Sequence, residues 1–587
     1  MDMLTSSVVP FSIALVFITA VITKVAWAKV TADPASSSNN TQPHPPMVIT
    51  GITSAIRLLH TLLTKGFIAM LHEQYTKLGS VFTISFLGMK TTFLAGPEVS
   101  VHFYQGLESE ISHGHLLEFT VPMFRKDVAF GVDIVTRTEQ HRFDIDALKP
   151  AKLRCHVAPM LQEVEKYFAK WGQYGTVDLK QELQQLLMLI SARCLLGKEV
   201  RENMFDEVFS GFQELTENSL QLISLLFPYA PTPMTRRRDR VCTMLSSIFT
   251  QIVRLRKSSN RVEEDVLQNL MDSKYKDGRP TTEPEVTRLI IAILFAGKQT
   301  STTSSTWTGA RLLSHKECLE AALEEQQKIV KKYGDNIDYD ILLEMSFLHC
   351  CIKEALRMHP TAPMFLHKVH KNFTVQTREG FEYEIPSGHT IASPLVINHN
   401  IPYHYVHLQG PYVYDPHWFG HGREEDRVGG KFTYNAFSGG RHACPWEAYA
   451  YMQVKVIWSH LLRNFELKLV SSFPETNWLK LSPQPRGKVE VSYKRRMLVI
   501  FILVPATMNM TLIYLIILEL TLFYLLMFLV ILLCNRPHRE QQTGGPRVPP
   551  VSHCSRAENS GMDQIELATS HGGAVALLTV ELTLPVQ

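Results

Sequence analysis

The sequence predicts a mainly α domain with a smaller β region, an α+β arrangement, preceded by an N-terminal membrane anchor. Three observations carry this reading. Between residues 151 and 332, apolar residues recur at three- and four-residue spacing, as in VAPMLQEVEKYFAKW, ELQQLLMLISARCLL and VCTMLSSIFTQIVRLRK. That is the period of a helix with one buried face. Residues 80–97, SVFTISFLGMKTTFLAGP, are rich in Thr, Phe and Val around Gly88 and predict a β-hairpin. Short extended pieces return in FTVQTREGFEYEIPSG, residues 373–388. Residues 8–27, VVPFSIALVFITAVITKVAW, form an apolar run about as long as a bilayer core is thick.

Taken in chain order, residues 1–30 are assigned to the anchor. The apolar run is too long for a signal peptide and lacks a clean small-residue cleavage site. Asp2 precedes it, whereas Lys24 and Lys29 follow its apolar part. This asymmetry puts the start of the chain in the lumen and the bulk in the cytosol. Residues 31–50 are a Pro/Ser-rich linker, and 51–496 form the globular domain. Residues 497–534 are a second hydrophobic segment, with Glu519 as their only charge. They are either a second transmembrane helix or an extension unrelated to the domain. Residues 535–587, rich in Gly, Pro, Ser and Thr, read as a disordered tail. The net charge of +3 gives no bulk attraction to nucleic acid. Nine cysteines form no CxxC pair and no regular framework, which fits free thiols in a reducing compartment.

The stretch FSGGRHACPWEA, residues 437–448, carries the chemistry. Pro445 suits a first helical turn. Tyr449, Met452, Val456, Ile457 and Leu461 then make an apolar stripe, so Cys444 is expected to cap a helix N-terminus. Free N–H groups and the positive dipole end favour a thiolate there. Gly439 and Gly440 would let the backbone approach something flat and large, and Arg441 and His442 would meet negative charge. A thiolate presented this way suits an axial ligand of haem iron, where its electron donation helps cleave an O–O bond. On this window alone, a buried helix-capping cysteine is the alternative. No triad partner nearby suggests a nucleophile.

The same stretch resembles the cytochrome P450 haem loop, Phe-x-x-Gly-x-(Arg/His)-x-Cys-x-Gly, at Phe437, Gly440, His442 and Cys444. Trp446 stands where the last glycine belongs. LFAGKQTSTTSSTWTGA, residues 294–310, has eight hydroxyl residues between Thr300 and Thr308. Such residues bond back to carbonyls one turn earlier and bend a helix, opening a groove for O₂ and water. The stretch resembles the family's oxygen-binding helix at Ala296, Gly297 and Thr300. In the sterol 14α-demethylase branch a histidine usually precedes the threonine. Here it is Gln299, which holds a water but does not titrate near neutral pH.

In CIKEALRMHP, Glu354 and Arg357 are three apart and share a helix face. They resemble the family's Glu-x-x-Arg, a buried pair that bonds to a downstream arginine. In YDPHWFGHGREED, Trp418 takes that arginine's place. The pair is then expected to keep open hydrogen-bonding capacity, with Arg423 as a candidate substitute. His367 falls where the resemblance implies an arginine paired with a haem propionate.

The resemblance covers nearly all of residues 51–496. YTKLGSVFT, GTVDLKQEL, RCLLGKEVRE, RRRDR, STWTGA and HLLRNFEL resemble plant obtusifoliol 14α-demethylases, and most of all their divergent cereal subfamily. One member of that subfamily oxidises a pentacyclic triterpene. The resemblance implies a cytochrome P450 fold and thiolate-ligated haem b. It implies O₂ as co-substrate and NADPH electrons through NADPH–cytochrome P450 reductase. It further implies a sterol or triterpene substrate and an endoplasmic reticulum membrane location with the domain facing the cytosol. Repeated oxidation of one methyl would end in its loss as formate.

In LLEFTVPMFRKDVAFGVD, residues 116–133, the resemblance implies substrate contact. Leu117 stands where sterol demethylases carry a tyrosine, and Arg125 where they carry a glycine. Phe119, Phe124, Val128 and Phe130 either line an apolar pocket or belong to the core. RRRDR, residues 236–240, either docks an acidic reductase or is a solvated helix face. The departures at Gln299, His367, Trp418 and Trp446 add a second expectation, a catalytically impaired or non-catalytic remnant of the family.

Overall fold

The 32-residue helix Glu283–Ser314 organises the domain. Its start is fixed by a capping box. The Thr282 hydroxyl accepts from the Glu285 N–H, and the Glu285 carboxylate accepts from the Thr282 N–H at 2.7 Å. Most of its length is buried, so it shows no single apolar stripe. The helices Leu179–Ser191, Pro233–Ser259, Ser346–Met358 and Glu447–Asn464 pack against it. At one crossing the Trp458 indole N–H donates to the Ser305 backbone and hydroxyl oxygens, both at 3.1 Å. A side-chain carbon at Gly309 would lie 2.1 Å from that indole, so this crossing admits only glycine.

This computed structural model describes residues 44–49, 52–86, 89–219, 228–401, 412–428, 430–478, 480 and 482–496. The anchor at 1–30, Gly88, the segment 497–534 and the tail lie outside them. The chain divides into two units, 1–495 and 496–587, and only Arg496 of the second is described. Among the described residues, no helix is long and apolar enough to cross a membrane. All seven described cysteines are unpaired.

The α+β expectation holds. The hairpin of Val81–Phe86 with Met89–Leu94 forms as predicted, with Phe82 stacked on Phe93 at 5.1 Å. It lies in a six-stranded sheet ordered Val48–Ile49, Val81–Phe86, Met89–Leu94, Thr390–Ser393, Phe365–Val369, Ile111–Ser112. The piece at 373–388 gives a separate hairpin, Phe373–Gln376 with Glu382–Ile385. A three-stranded sheet of Phe465–Leu469, Glu490–Arg495 and Tyr174–Asp178 was not expected. The sequence reading treats Tyr174–Asp178 as part of a mostly helical stretch, because its partner lies more than 300 residues away.

Candidate active site

The loop around Cys444 is held by its own backbone. The Cys444 N–H donates to the Phe437 carbonyl at 2.8 Å, and the His442 N–H donates to Gly439 at 3.2 Å. The following helix begins at Glu447, with Trp446 at its cap. Cys444 therefore precedes the cap by two residues and does not form it. Its sulfur still receives the Trp446 backbone N–H, which favours the thiolate. Burial outweighs that bond and pushes the thiol up to about 11. The helix terminus alone does not ionise this cysteine; a bound metal ion would.

Both glycines sit tightly against protein neighbours. A side-chain carbon at Gly440, where φ is 59°, would lie 2.0 Å from the Tyr104 carbonyl oxygen. At Gly439 it would lie 2.8 Å from the Phe432 ring. They admit the helix Pro97–Gln105 and the Phe432 ring. Arg441 is exposed, and its Nε donates to the Gln105 carbonyl at 3.4 Å. Trp446 leans on Tyr449 edge to face at 5.4 Å and packs against the main core. The indole is absorbed beside the helix, which forms without a break.

On the long helix, Ala296, Gly297 and Thr300 are exposed although Leu294, Lys298 and residues 302–306 are buried. A side chain at Gly297 would meet nothing within 4 Å. These three positions thus face open room from the middle of an otherwise buried helix. The Thr300 hydroxyl donates to the Ala296 carbonyl at 2.8 Å. Thr302, Ser304, Thr306 and Thr308 repeat the bond one turn back, as the sequence predicts. The hydroxyl ladder lies within one unbroken helix. Gln299 is occupied elsewhere: its amide donates to Gln484 at 3.0 Å and to Thr303 at 3.3 Å.

Glu354 and Arg357 are completely buried and pair through two bonds of 2.7 and 2.9 Å. Arg357 also donates to the His399 carbonyl and the Asn400 side chain, both at 3.0 Å, and to the Val413 carbonyl at 3.3 Å. Glu354 accepts the Asp415 N–H at 3.0 Å. The expected open capacity is taken up on both sides: the Asp415 N–H donates to Glu354 where an arginine is expected, and three acceptors take the remaining N–H groups of Arg357. Trp418 lies under the guanidinium, 4.7 Å from carbon to ring centroid, and is 2% exposed. Arg423 donates to Asp415 at 3.2 Å and reaches Glu354 only through that residue. Burial raises the Glu354 carboxyl above its ordinary range despite Arg357.

His367, on the strand Phe365–Val369, is buried against Phe103, with ring centroids 4.2 Å apart. It meets His442 and a residue the motifs do not mark, His113. Burial holds all three well below the ordinary imidazole range, at about 2 for His367, 3 for His113 and 4 for His442. His442 does face a negative charge among the described residues. Its Nε2 lies 3.8 Å from a Glu108 carboxylate oxygen.

In the segment 116–133, Val128 and Phe124 are core side chains, 0% and 5% exposed. Phe124 meets Phe295 of the long helix edge to face at 5.7 Å. Leu117, Phe119 and Phe130 are half-buried. Arg125 is exposed and keeps a φ of 69°, the left-handed conformation that glycine takes without strain. In RRRDR, Arg236, Arg237 and Arg240 are exposed, whereas Arg238 is buried and donates to the Pro228 carbonyl at 2.9 Å.

The donor set fits a thiolate-ligated haem. One half-buried sulfur follows a backbone-locked loop, and an exposed Ala-Gly-x-x-Thr face borders open room.

The Cytochrome P450 family profile matches residues 43–491. An "Obtusifoliol 14-alpha demethylase" of Sorghum bicolor is 52% identical over 436 residues, 74% of this chain and 88% of that protein. A "Sterol 14-demethylase" of Arabidopsis thaliana is 51% identical over 434 residues, again 74% and 88%. Among solved structures, "Retinoic acid bound cyanobacterial CYP120A1" matches with a TM-score of 0.66 at 20% identity. That match covers 78% of this chain and all of the other, and at that identity it speaks for the fold alone. The chain belongs to the cytochrome P450 superfamily and, within it, to the sterol 14-demethylase family of haem-thiolate monooxygenases.

Proposed function

We propose that this chain oxidises a methyl carbon of a flat, apolar polycycle, an obtusifoliol-type sterol, in repeated steps that release formate. The observation that carries the reading is the exposed face of Ala296, Gly297 and Thr300 on a buried helix, in a chain half identical to sterol demethylases. Cys444 is the iron ligand, with Phe437, Gly440, Arg441 and His442 framing it. Haem, when bound, supplies oxygen activation, and the thiolate adds electron density to the iron. Thr300 uses its proton on the Ala296 carbonyl, which leaves its oxygen free to accept a proton-bearing water in the open room. Glu354 and Arg357 hold the scaffold that carries the cysteine loop: His399, whose carbonyl Arg357 binds, bonds Asn435 at 2.9 Å.

Electrons would come from NADPH through a membrane-bound reductase. The apolar run at 8–27 supports an endoplasmic reticulum anchor with the domain in the cytosol. The exposed Arg236, Arg237 and Arg240 are a candidate docking face. A non-catalytic remnant is not favoured, because the positions of Trp418 and Trp446 are filled by packed side chains. A second substrate reading, a pentacyclic triterpene, draws support from Leu117 and from Arg125, which holds a glycine conformation.

The test is reconstitution of the full chain with reductase and NADPH, offered obtusifoliol or β-amyrin. Formate and a demethylated product from obtusifoliol are expected. Oxidation of β-amyrin alone would move the assignment to the triterpene, and turnover of neither would reject both.

A further inference from the structure

Five polar side chains, Tyr104, Ser393, Asn398, His399 and Asn435, are each at most 2% exposed and close a ring beside the cysteine loop. The Asn435 amide donates to the Tyr104 hydroxyl. That hydroxyl bonds the Ser393 hydroxyl at 2.8 Å, and the Asn398 amide donates to the same Ser393 oxygen at 3.0 Å. The Asn398 carbonyl oxygen accepts the Gly96 N–H at 3.0 Å. The next residue in the chain, His399, returns through its Nε2 to the Asn435 side chain at 2.9 Å. No motif marks any of these residues.

A ring of this kind gains little stability. Each hydrogen bond nets only about 0.5–1.5 kcal/mol, and apolar side chains of the same shape do nearly as well. What a fully satisfied buried network supplies is a single arrangement. Here that arrangement is the turn that leads to Cys444. The Asn435 carbonyl accepts the Ser438 N–H at 2.8 Å, and the Phe437 carbonyl between them accepts the Cys444 N–H. Ser438 keeps a φ of 64° and Phe432 one of 72°. These left-handed conformations cost non-glycine residues energy and persist only when their surroundings hold them. Tyr104 supplies the hold. Its hydroxyl takes the Asn435 amide, its ring stacks on Phe432 at 4.6 Å, and its carbonyl oxygen lies against Gly440.

We propose that Tyr104 and Asn435 are positioning residues that keep the Cys444 sulfur on the iron. Neither acts on the sulfur directly. Their bond fixes the strained turn, and the turn fixes the Cys444 backbone through the Phe437 carbonyl. Without the bond, the turn relaxes toward unstrained φ values and carries the sulfur away from the metal. The inference rests on Cys444 as the iron ligand and is independent of which polycycle is oxidised.

The test compares variants of the full, haem-loaded chain by carbon monoxide difference spectrum, haem content and Tm. Tyr104→Phe removes one hydroxyl and keeps the ring on Phe432. The ratio of thiolate-ligated haem to haem without the thiolate should fall about fivefold, the worth of one lost hydrogen bond. Asn435→Ala breaks the same bond from the loop side and should give the same fall. The double variant should fall no further, because the two residues act as a unit. Thr92→Val is the control. It removes an equally buried hydroxyl of the same sheet, bonded to Thr83 at 2.8 Å and His389 at 2.9 Å, and should lower Tm with the spectrum unchanged. If Asn435→Ala folds poorly, Tyr104→Phe against this control decides alone. A thiolate band kept in full by Tyr104→Phe, or a fall that Thr92→Val matches at equal loss of Tm, would overturn the proposal. A parent chain without the band would instead overturn the assignment of Cys444, and the proposal with it.

Discussion

The Glu354–Arg357 pair and the His113–His367–His442 group are both buried beside the segment that leads to Cys444, yet they are satisfied differently. Around Arg357, Glu354, backbone carbonyls and Asn400 use every arm of the guanidinium, and the Trp418 face covers it. Around His367, two ring nitrogens of the group stay without partners. In each region the sequence resemblance leads to an expected arginine, at the position of Trp418 in one and of His367 in the other. The contrast teaches that a substitution is judged by what fills in around it. Where the expected arginine is missing at Trp418, the Asp415 N–H donates to Glu354 and an aromatic face covers Arg357; at His367 the free ring nitrogens stay on the side of the cysteine loop.

The largest effect tests the satisfied side. Glu354→Gln leaves the Arg357 charge buried beside a neutral amide and should cost about 3–5 kcal/mol, read as a lower urea midpoint. Trp418→Arg sharpens the comparison. A broken triad would be repaired by it. With Glu354 already accepting from Arg357 twice and from Asp415, a second guanidinium has no such place and should lower stability by about 3 kcal/mol.

A pH test follows from His399, whose Nε2 meets Asn435 and whose carbonyl binds Arg357. Burial lowers it from 6.5 to about 4. The unfolded chain takes up this proton near pH 6.5, while the folded chain resists until about 4. Its contribution is therefore present above pH 6.5, falls through that window and is gone below it, about 3 kcal/mol in all. His399→Gln should flatten this part of the stability–pH curve, whereas an unchanged slope would place the acid sensitivity elsewhere.

Local features were legible in the sequence. The hairpin at 80–97, the Glu354–Arg357 pair, the hydroxyl ladder and the cysteine loop are each fixed by residues within a turn or two of one another. What was illegible was long-range. Gly440 accommodates a carbonyl more than 330 residues away, and Gln299 finds Gln484. Trp418 reads as a loss until its ring is found under Arg357. His113 belongs to no motif, and only the sheet brings it to His367. The helix-terminus argument for a thiolate at Cys444 named a real N–H bond but omitted the larger cost of burial.

The measurement that bears most directly on the account is the carbon monoxide difference spectrum of the reduced full chain, beside that of Cys444→Ala. The account predicts the band of thiolate-ligated haem in the parent and its loss in the variant. A parent spectrum typical of imidazole-ligated haem, or a thiolate band that survives the substitution, would contradict it.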